Sequence, residues 1–243
     1  MDEFSASFQN YYSSKLKPIC CGNCGKEESS TERLKKCTVC KVIKYCNVDC
    51  QRAHWKSCHK KECKTWQKQR IRWEEIVKSD LDKSADGIDG TGMYILGMRL
   101  GIGDGAPIIH ELACQLYDAA INTSSPIEGG HPIAMLNLAL HYERGLGVEQ
   151  SYEKAFHYYK LVTKHPFPGE ETVKPAFQAL SRYYKDPERY GGVVERSAEL
   201  SMKFLTFSMS NPEREDEIDG LERWWDNGGR EETLEYFKKK GIS

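Results

Sequence analysis

Nine of the ten cysteines in this chain of 243 residues lie between Cys20 and Cys63. The densest stretch, Lys44 to Cys63, reads KYCNVDCQRAHWKSCHKKEC and holds four cysteines and two histidines. A module of about 45 residues buries too little apolar surface to offset its chain entropy, and this one spends its side chains on sulfur and imidazole. It therefore needs a staple, either disulfides or metal. Met1-Asp-Glu-Phe opens an acidic, polar N-terminus without a basic-then-apolar pattern, and no run of about eighteen apolar residues follows. Neither secretion nor membrane spanning is indicated, so the expected location is cytoplasm or nucleus, where thiols stay reduced and clustered cysteines point to metal.

The cysteines and histidines fall into pairs: Cys21-x2-Cys24, Cys37-x2-Cys40, Cys46-x3-Cys50 and His59-x3-Cys63. Eight ligands suffice for two tetrahedral sites. A C-x2-C pair bends into a knuckle whose two sulfurs face one ion, and Gly25 suits the turn after Cys24. On a helix, His59 and Cys63 share a face at i and i+4. Two alternatives stay open. Cys20 can replace Cys21, although C-x3-C makes a poorer knuckle, and His54-x3-Cys58 has the spacing of His59-x3-Cys63. Those last two pairs, five residues apart, are expected to face different sides of one helix and not to serve the same ion.

The ordered pairs, Tyr45 before Cys46, Cys50-Gln51, and Trp55 shortly before His59-Lys60 together resemble a MYND-type zinc finger. The resemblance implies interleaved ligands: Cys21, Cys24, Cys46 and Cys50 on one zinc, Cys37, Cys40, His59 and Cys63 on the other. It also favours His59 and Cys63 over His54 and Cys58. Structural zinc contributes roughly 10 to 16 kcal/mol in finger peptides, more than so small a core can. With all eight positions taken by protein, neither ion keeps an open site to activate water, so both are expected to be structural.

Gln51, Trp55, His59 and Cys63 recur every four residues, which puts Trp55 beside the second zinc near the surface. A ring there can simply cover the zinc core. The resemblance implies a shallow groove for short proline-rich peptides instead, formed here by Thr38, Tyr45, Gln51 and Trp55. An extended proline-rich strand loses little entropy on docking against aromatic walls. The rival partner is nucleic acid. Residues 18–78 hold 15 Lys/Arg against 7 Asp/Glu, a formal +8, whereas residues 79–243 hold 18 against 27, a formal −9. Seven thiolates and two zinc ions reduce the finger to about +5, and no C2H2-type recognition helix is present, so nucleic-acid binding would rest on charge alone.

After the finger (18–63, preceded by a flexible 1–17), an amphipathic helix is expected over 64–78, and the Asp/Gly/Ser-rich 79–90 reads as a linker. From 91 to 240 the chain repeats. In AMLNLALHYERGLGVEQSYEKAFHYYKLVTK, Ala134 to Lys164, two helical patterns flank Gly145-Leu146-Gly147, and small Ala139 and Ala155 allow close approach. Gly101-Ile102-Gly103 lies 44 residues earlier. Ala113 and Tyr117 lie 42 before Ala155 and Tyr159, and Ala176, Leu180 and Tyr184 lie 42 after Ala134, Leu138 and Tyr142. In the third unit Asp186-Pro187 stands in place of the glycine turn. A degenerate last unit is expected, with Leu221 and Trp224-Trp225 on one helix and Leu234, Tyr236 and Phe237 on another. Helix pairs at this period mark an α-solenoid. The central unit is similar to Sel-one-like repeats, relatives of the tetratricopeptide class, and the resemblance implies a concave surface for protein partners.

The expected fold is thus mainly α: a small cross-braced two-zinc finger followed by an α-solenoid. Some proteins with such a finger are lysine methyltransferases, whose β-rich catalytic segments have no counterpart here. Gly101-Ile102-Gly103-Asp104-Gly105 lacks the Gly-Lys-Ser/Thr of a phosphate loop. His141-Tyr142-Glu143 lacks the P-C-x-x-C of a deaminase and reads as a helix face, and His110, His131, His157 and His165 have no metal spacing. Cys114 reads as a small core residue. The expected function is a non-enzymatic, zinc-dependent adaptor, the finger taking a proline-containing peptide and the repeats a second protein.

Overall fold

The computed structural model describes residues 16, 19–29, 31–84, 90–104, 106–123, 130–210, 215–229, 231 and 235. Its N-terminal part is organised by a two-stranded antiparallel ribbon, β1 (Lys35–Lys36) and β2 (Lys44–Tyr45), with Lys35 opposite Tyr45. The loop joining the strands is the second knuckle. On its other edge β2 meets the first knuckle through a parallel bridge from Lys44 to Cys21 and a Gly22 N–H donated to the Lys44 carbonyl at 2.9 Å. Cys37 follows β1 and Cys46 follows β2, so the two leave the antiparallel ribbon at opposite ends. That exit geometry sends alternate pairs to opposite ends of the finger.

Helix α1 (Val48–His54) begins at Asn47, whose side-chain oxygen accepts the Cys50 N–H at 2.8 Å. The chain then passes through a π-helical turn, Trp55–His59, directly into α2 (Lys60–Ser84). The expected helix 64–78 is therefore part of a longer one that continues to Ser84 and takes in the first half of the stretch read as a linker; residues 85–89 lie outside the described residues. Two causes are local. The first glycine after the finger's helices is Gly87, so nothing breaks the helix earlier, and Val77 and Trp73 pack into the core of the following repeats.

The rest is helical hairpins: α3 (Gly90–Ile102) with α4 (His110–Thr123), α5 (Pro132–Arg144) with α6 (Tyr152–Thr163), and α7 (Glu170–Lys185) with α8 (Ala198–Ser210). Each hairpin also packs on the next, α4 on α5 and α6 on α7, as a solenoid requires. Small residues sit at the closest approaches: Ala113, Ala134, Ala139, Ala155 and Ala176 are fully buried. Large rings fill the layers between, with Tyr117, Tyr159, Tyr183 and Phe177 buried. Among the described residues no strand follows β2.

The turns differ from unit to unit. In the central hairpin Gly145 (φ 66°) ends α5 in the left-handed conformation, and the Ser151 hydroxyl caps α6. In the first hairpin Gly101 lies inside α3, and Gly103 (φ 82°) takes a left-handed turn. In the third, Asp186 leads into a 3-10 turn, Pro187–Tyr190, that lays Tyr190 against Tyr183 with ring centroids 4.3 Å apart. Beyond α8, α9 (Glu215–Trp224) leads into a kinked turn at Trp225–Gly229, where Asn227 and Gly228 leave helical backbone angles, and buried Trp225 meets Phe207 edge-on. Leu234, Tyr236 and Phe237 lie outside the described residues, as do 1–15 and 236–243.

His141 is not a residue of an open helix face. It is fully buried, and its Nδ1 donates to the Leu146 carbonyl at 2.7 Å, tying the end of α5 to its own turn. Burial, with help from neighbouring His110, pulls its pKa down to about 3. Cys114 packs against both partners, 3.3 Å from His141 Nδ1 and 3.4 Å from the Leu146 oxygen, and burial pushes its thiol pKa up. The Glu143 carboxylate accepts the hydroxyl of buried Tyr159 at 2.8 Å. This polar cluster is part of the repeat core.

Candidate metal centres and peptide groove

Cys21, Cys24, Cys46 and Cys50 converge at one end of the finger, and Cys37, Cys40, His59 and Cys63 at the other; within each group all ligand atoms lie within 4.8 Å of one another. Sulfur separations are 3.7 Å for Cys24–Cys46, 3.5 Å for Cys46–Cys50 and 3.9 Å for Cys37–Cys63. A tetrahedron with metal–sulfur bonds of about 2.3 Å has sulfur–sulfur edges of about 3.8 Å, and a nitrogen at about 2.05 Å lies about 3.6 Å from each sulfur. His59 Nε2 is 3.6 Å from Cys40 Sγ and 3.4 Å from Cys37 Sγ. A disulfide would need about 2.05 Å, and all ten cysteines are free. These separations suit metal coordination better than thiol hydrogen bonds, and the donor sets fit zinc.

Local backbone prepares the ligands. The two knuckles close alike, Gly25 N–H to the Cys21 carbonyl and Lys41 N–H to the Cys37 carbonyl, each at 2.9 Å. The residue after each knuckle takes a left-handed conformation. In the first this is Gly25 (φ 73°), as expected; in the second it is Lys41 (φ 54°), a residue that bears strain there. Burial raises the pKa of the first cysteine in each knuckle, but backbone N–H groups aimed at the sulfur outweigh it: those of Cys24, Cys46 and Asn23 at Cys21, and those of Cys40 and Val39 at Cys37. Both thiols are held below their ordinary value, towards the thiolate that binds metal.

Among the described residues of the finger, the buried ones are Cys21, Cys37, Cys40, His59 and Cys63 with Leu34 and Tyr45, so coordination chemistry occupies the place of a hydrophobic core. Of the competing candidates, Cys20 and Cys58 are exposed and belong to neither cluster. His54 also stays outside both; its Nδ1 is hydrogen-bonded to the Tyr45 hydroxyl at 2.9 Å. The expectation that His54 and His59 face different sides of the helix needs correction. Their rings stack, because a π-helical turn aligns residues i and i+5, where an α-helix aligns i and i+4.

The residues expected to form a peptide groove separate into two sets. Thr38, Gln51 and Trp55 line one open cleft of about 330 Å³ together with Val39, Arg52 and Lys56. Trp55 is 37% exposed and meets His59 edge-on, so it both shields the second cluster and faces outward. Tyr45 does not line the cleft. It is 2% exposed and packs in the core of the finger, where its hydroxyl is hydrogen-bonded to half-buried His54. Part of the basic character is also spent internally: Lys44 pairs with Glu28 at 2.9 Å, Lys36 pairs with Glu111 of α4, and Arg52 lies near Asp49.

A family model of the MYND finger matches residues 21–63, and one of the Sel1 repeat matches residues 132–161. The chain carries a MYND finger and a Sel1 repeat. The MYND finger is a zinc-binding module, and both modules serve protein–protein interaction. Among curated proteins, ubiquitin carboxyl-terminal hydrolase 17 of Arabidopsis thaliana is 28% identical over 92 residues, 35% of this chain and 12% of that protein. An F-box protein of the same plant is 36% identical over 69 residues, 28% of this chain and 17% of that one. A SET and MYND domain-containing protein of Dictyostelium discoideum is 45% identical over 49 residues, 19% and 9% respectively. The chain thus spans less than a fifth of the length of each of these relatives. Among solved structures, a Sel1 repeat protein from Oxalobacter formigenes is similar with a TM-score of 0.41 and 23% identity, over 57% of this chain and 90% of that one. No described helix is long and apolar enough to cross a membrane.

Proposed function

We propose that this protein is a non-catalytic adaptor whose MYND finger grips a short proline-containing peptide while its Sel1-type helical array holds a second protein. Two structural zinc ions, on Cys21, Cys24, Cys46 and Cys50 and on Cys37, Cys40, His59 and Cys63, keep the finger rigid. The finger spans 18–63 and the repeats 91–240, with α2 as the strut between them. Clustered free thiols suit a reducing compartment, cytoplasm or nucleus.

The observation that carries this reading is the convergence of Thr38, Gln51 and half-exposed Trp55 on one cleft directly over the second cluster. A tryptophan wall with an amide beside it offers a flat apolar face and a hydrogen-bonding group for the carbonyls of an extended proline-rich strand. The test is a peptide array probed with zinc-loaded full-length protein, followed by titration calorimetry on the best peptide. Trp55→Ala is expected to weaken binding at least tenfold and Gln51→Ala several-fold. Unchanged affinity in both variants would remove the groove from this reading.

A further inference from the structure

A second concavity bordering the finger is distinct from the peptide groove. It lies where the finger rests on the first helical hairpin, an open cavity of about 440 Å³. Val42 and Ile43 of the finger, Trp66 of α2, and Ile108 and Ile109 from the loop before α4 supply apolar walls. This volume lies within the range of small-molecule pockets, and junctions between modules are a common place for them.

Two residues that line this cavity each carry a polar atom buried without a hydrogen-bond partner among the described residues: Nε of Arg70 and Nδ1 of His110. His110 as a whole is only 7% exposed. Buried polar groups are nearly always paired, and leaving one unpaired is unfavourable. The other nitrogens of Arg70 are committed, Nη2 to Glu74 at 2.6 Å and Nη1 to the Lys41 carbonyl at 3.4 Å. That carbonyl belongs to the strained left-handed residue of the second knuckle, so strain is retained at a position bordering the cavity. The charges are nearly balanced. Lys36 is matched by Glu111, Lys44 by Glu28 and Arg70 by Glu74, while Lys41 has no ion pair among the described residues. One cationic charge and two residues with an unpartnered buried nitrogen therefore line an apolar chamber.

We propose that this interdomain cavity binds an apolar carboxylate, its chain against Trp66 and Ile109 and its carboxylate at Arg70 Nε, His110 Nδ1 and Lys41. A carboxylate accepts at both oxygens, so one group can satisfy the Arg70 N–H and the Nδ1-protonated tautomer of His110 together. Burial lowers the His110 pKa to about 4, so the ring is neutral at pH 7 and free to adopt that tautomer. A free carboxylic acid and the C-terminus of a peptide ending in an apolar residue share this chemistry. Because the cavity has walls from both modules, its occupant would report whether finger and repeats are docked.

The test is titration calorimetry on zinc-loaded full-length protein with four probes: octanoate, octanol, a tripeptide acid ending in leucine, and its C-terminal amide. Binding of octanoate with at least tenfold preference over octanol is expected, as is at least tenfold loss in Arg70→Lys, which keeps the charge and removes the Nε donor. Ile108→Trp, a change at a partly exposed position on the rim, is expected to block binding without disturbing the fold, checked by its melting temperature. Tighter binding of the tripeptide acid than of octanoate, lost in the amide, would support the proposal with a chain terminus as the source. The reverse order would support it with a free acid as the source. Equal affinity for octanoate and octanol, no binding of any probe, or binding indifferent to both variants would overturn it.

Discussion

His54 and His59 stack with ring planes 9° apart and centroids separated by 5.5 Å, although they stand five positions apart in a continuous helical run. The π-helical turn between them takes up one residue more than an α-turn, and so His59 reaches the second metal cluster while His54 stays back to meet Tyr45. His59→Ala is expected to reduce zinc content from two ions to one by native mass spectrometry. His54→Ala is expected to retain both and to cost about 1 to 3 kcal/mol, because the buried Tyr45 hydroxyl loses its partner. Loss of an ion in His54→Ala would reverse the assignment.

Deleting Ser57 offers a sharper check on the same turn. If the π-turn accommodates one extra residue, its removal restores an α-turn and leaves His59 and Cys63 on the face they now occupy. The shortened protein is expected to hold two zinc ions, measured in the same way. An unfolded finger would show that the wider turn is itself needed.

The knuckles provide a matched pair. Gly25→Ala forces an L-residue into φ 73° and is expected to destabilise the finger by about 1 kcal/mol. Lys41→Gly relieves the strain at φ 54° and is expected to stabilise it by a similar amount, read as resistance to zinc removal by a competing chelator.

Gly147 (φ 76°) lies so close to the start of α4 that an added Cβ would come within 2.3 Å of the His110 carbonyl carbon and 2.5 Å of the Glu111 nitrogen. Backbone cannot yield as a flexible side chain does. Gly147→Ala is therefore expected to cost about 3 kcal/mol, strain and overpacking together, whereas Gly145→Ala, whose nearest neighbour is the Gln150 Cβ at 3.2 Å, is expected to cost about 1 kcal/mol. Thermal melts of the two variants separate them.

The repeats should also be acid-sensitive in a defined window. His141 is neutral in the fold, with a pKa of about 3, but takes up a proton near its ordinary 6.5 once unfolded. Its contribution is complete above pH 6.5 and declines as pH falls towards 3, by about 1.4 kcal/mol per unit. Melts followed by far-UV circular dichroism, to which the helices of the repeats contribute most, are expected to drop between pH 6.5 and 5 and to drop less in His141→Leu.

Residue types and their order along the chain were enough to locate the metal-rich module, the helix pairs and their period of 42 to 44 residues. Coordination needs particular donor atoms at short local spacing, and helix packing needs small and large apolar groups at a regular spacing, and both are written in contiguous stretches. Spacing alone did not decide which cysteine pairs share an ion, since that depends on β2 lying between the two knuckles. Only the packed chain put Tyr45 in the finger's core, stacked His54 on His59, gave Lys41 a left-handed conformation and turned His141 inward. It also joined Lys36 to Glu111 and enclosed the cavity at Arg70 and His110. Each of these features joins segments or widens a turn according to what surrounds it, so burial and partner choice are set by tertiary contacts that no local pattern records.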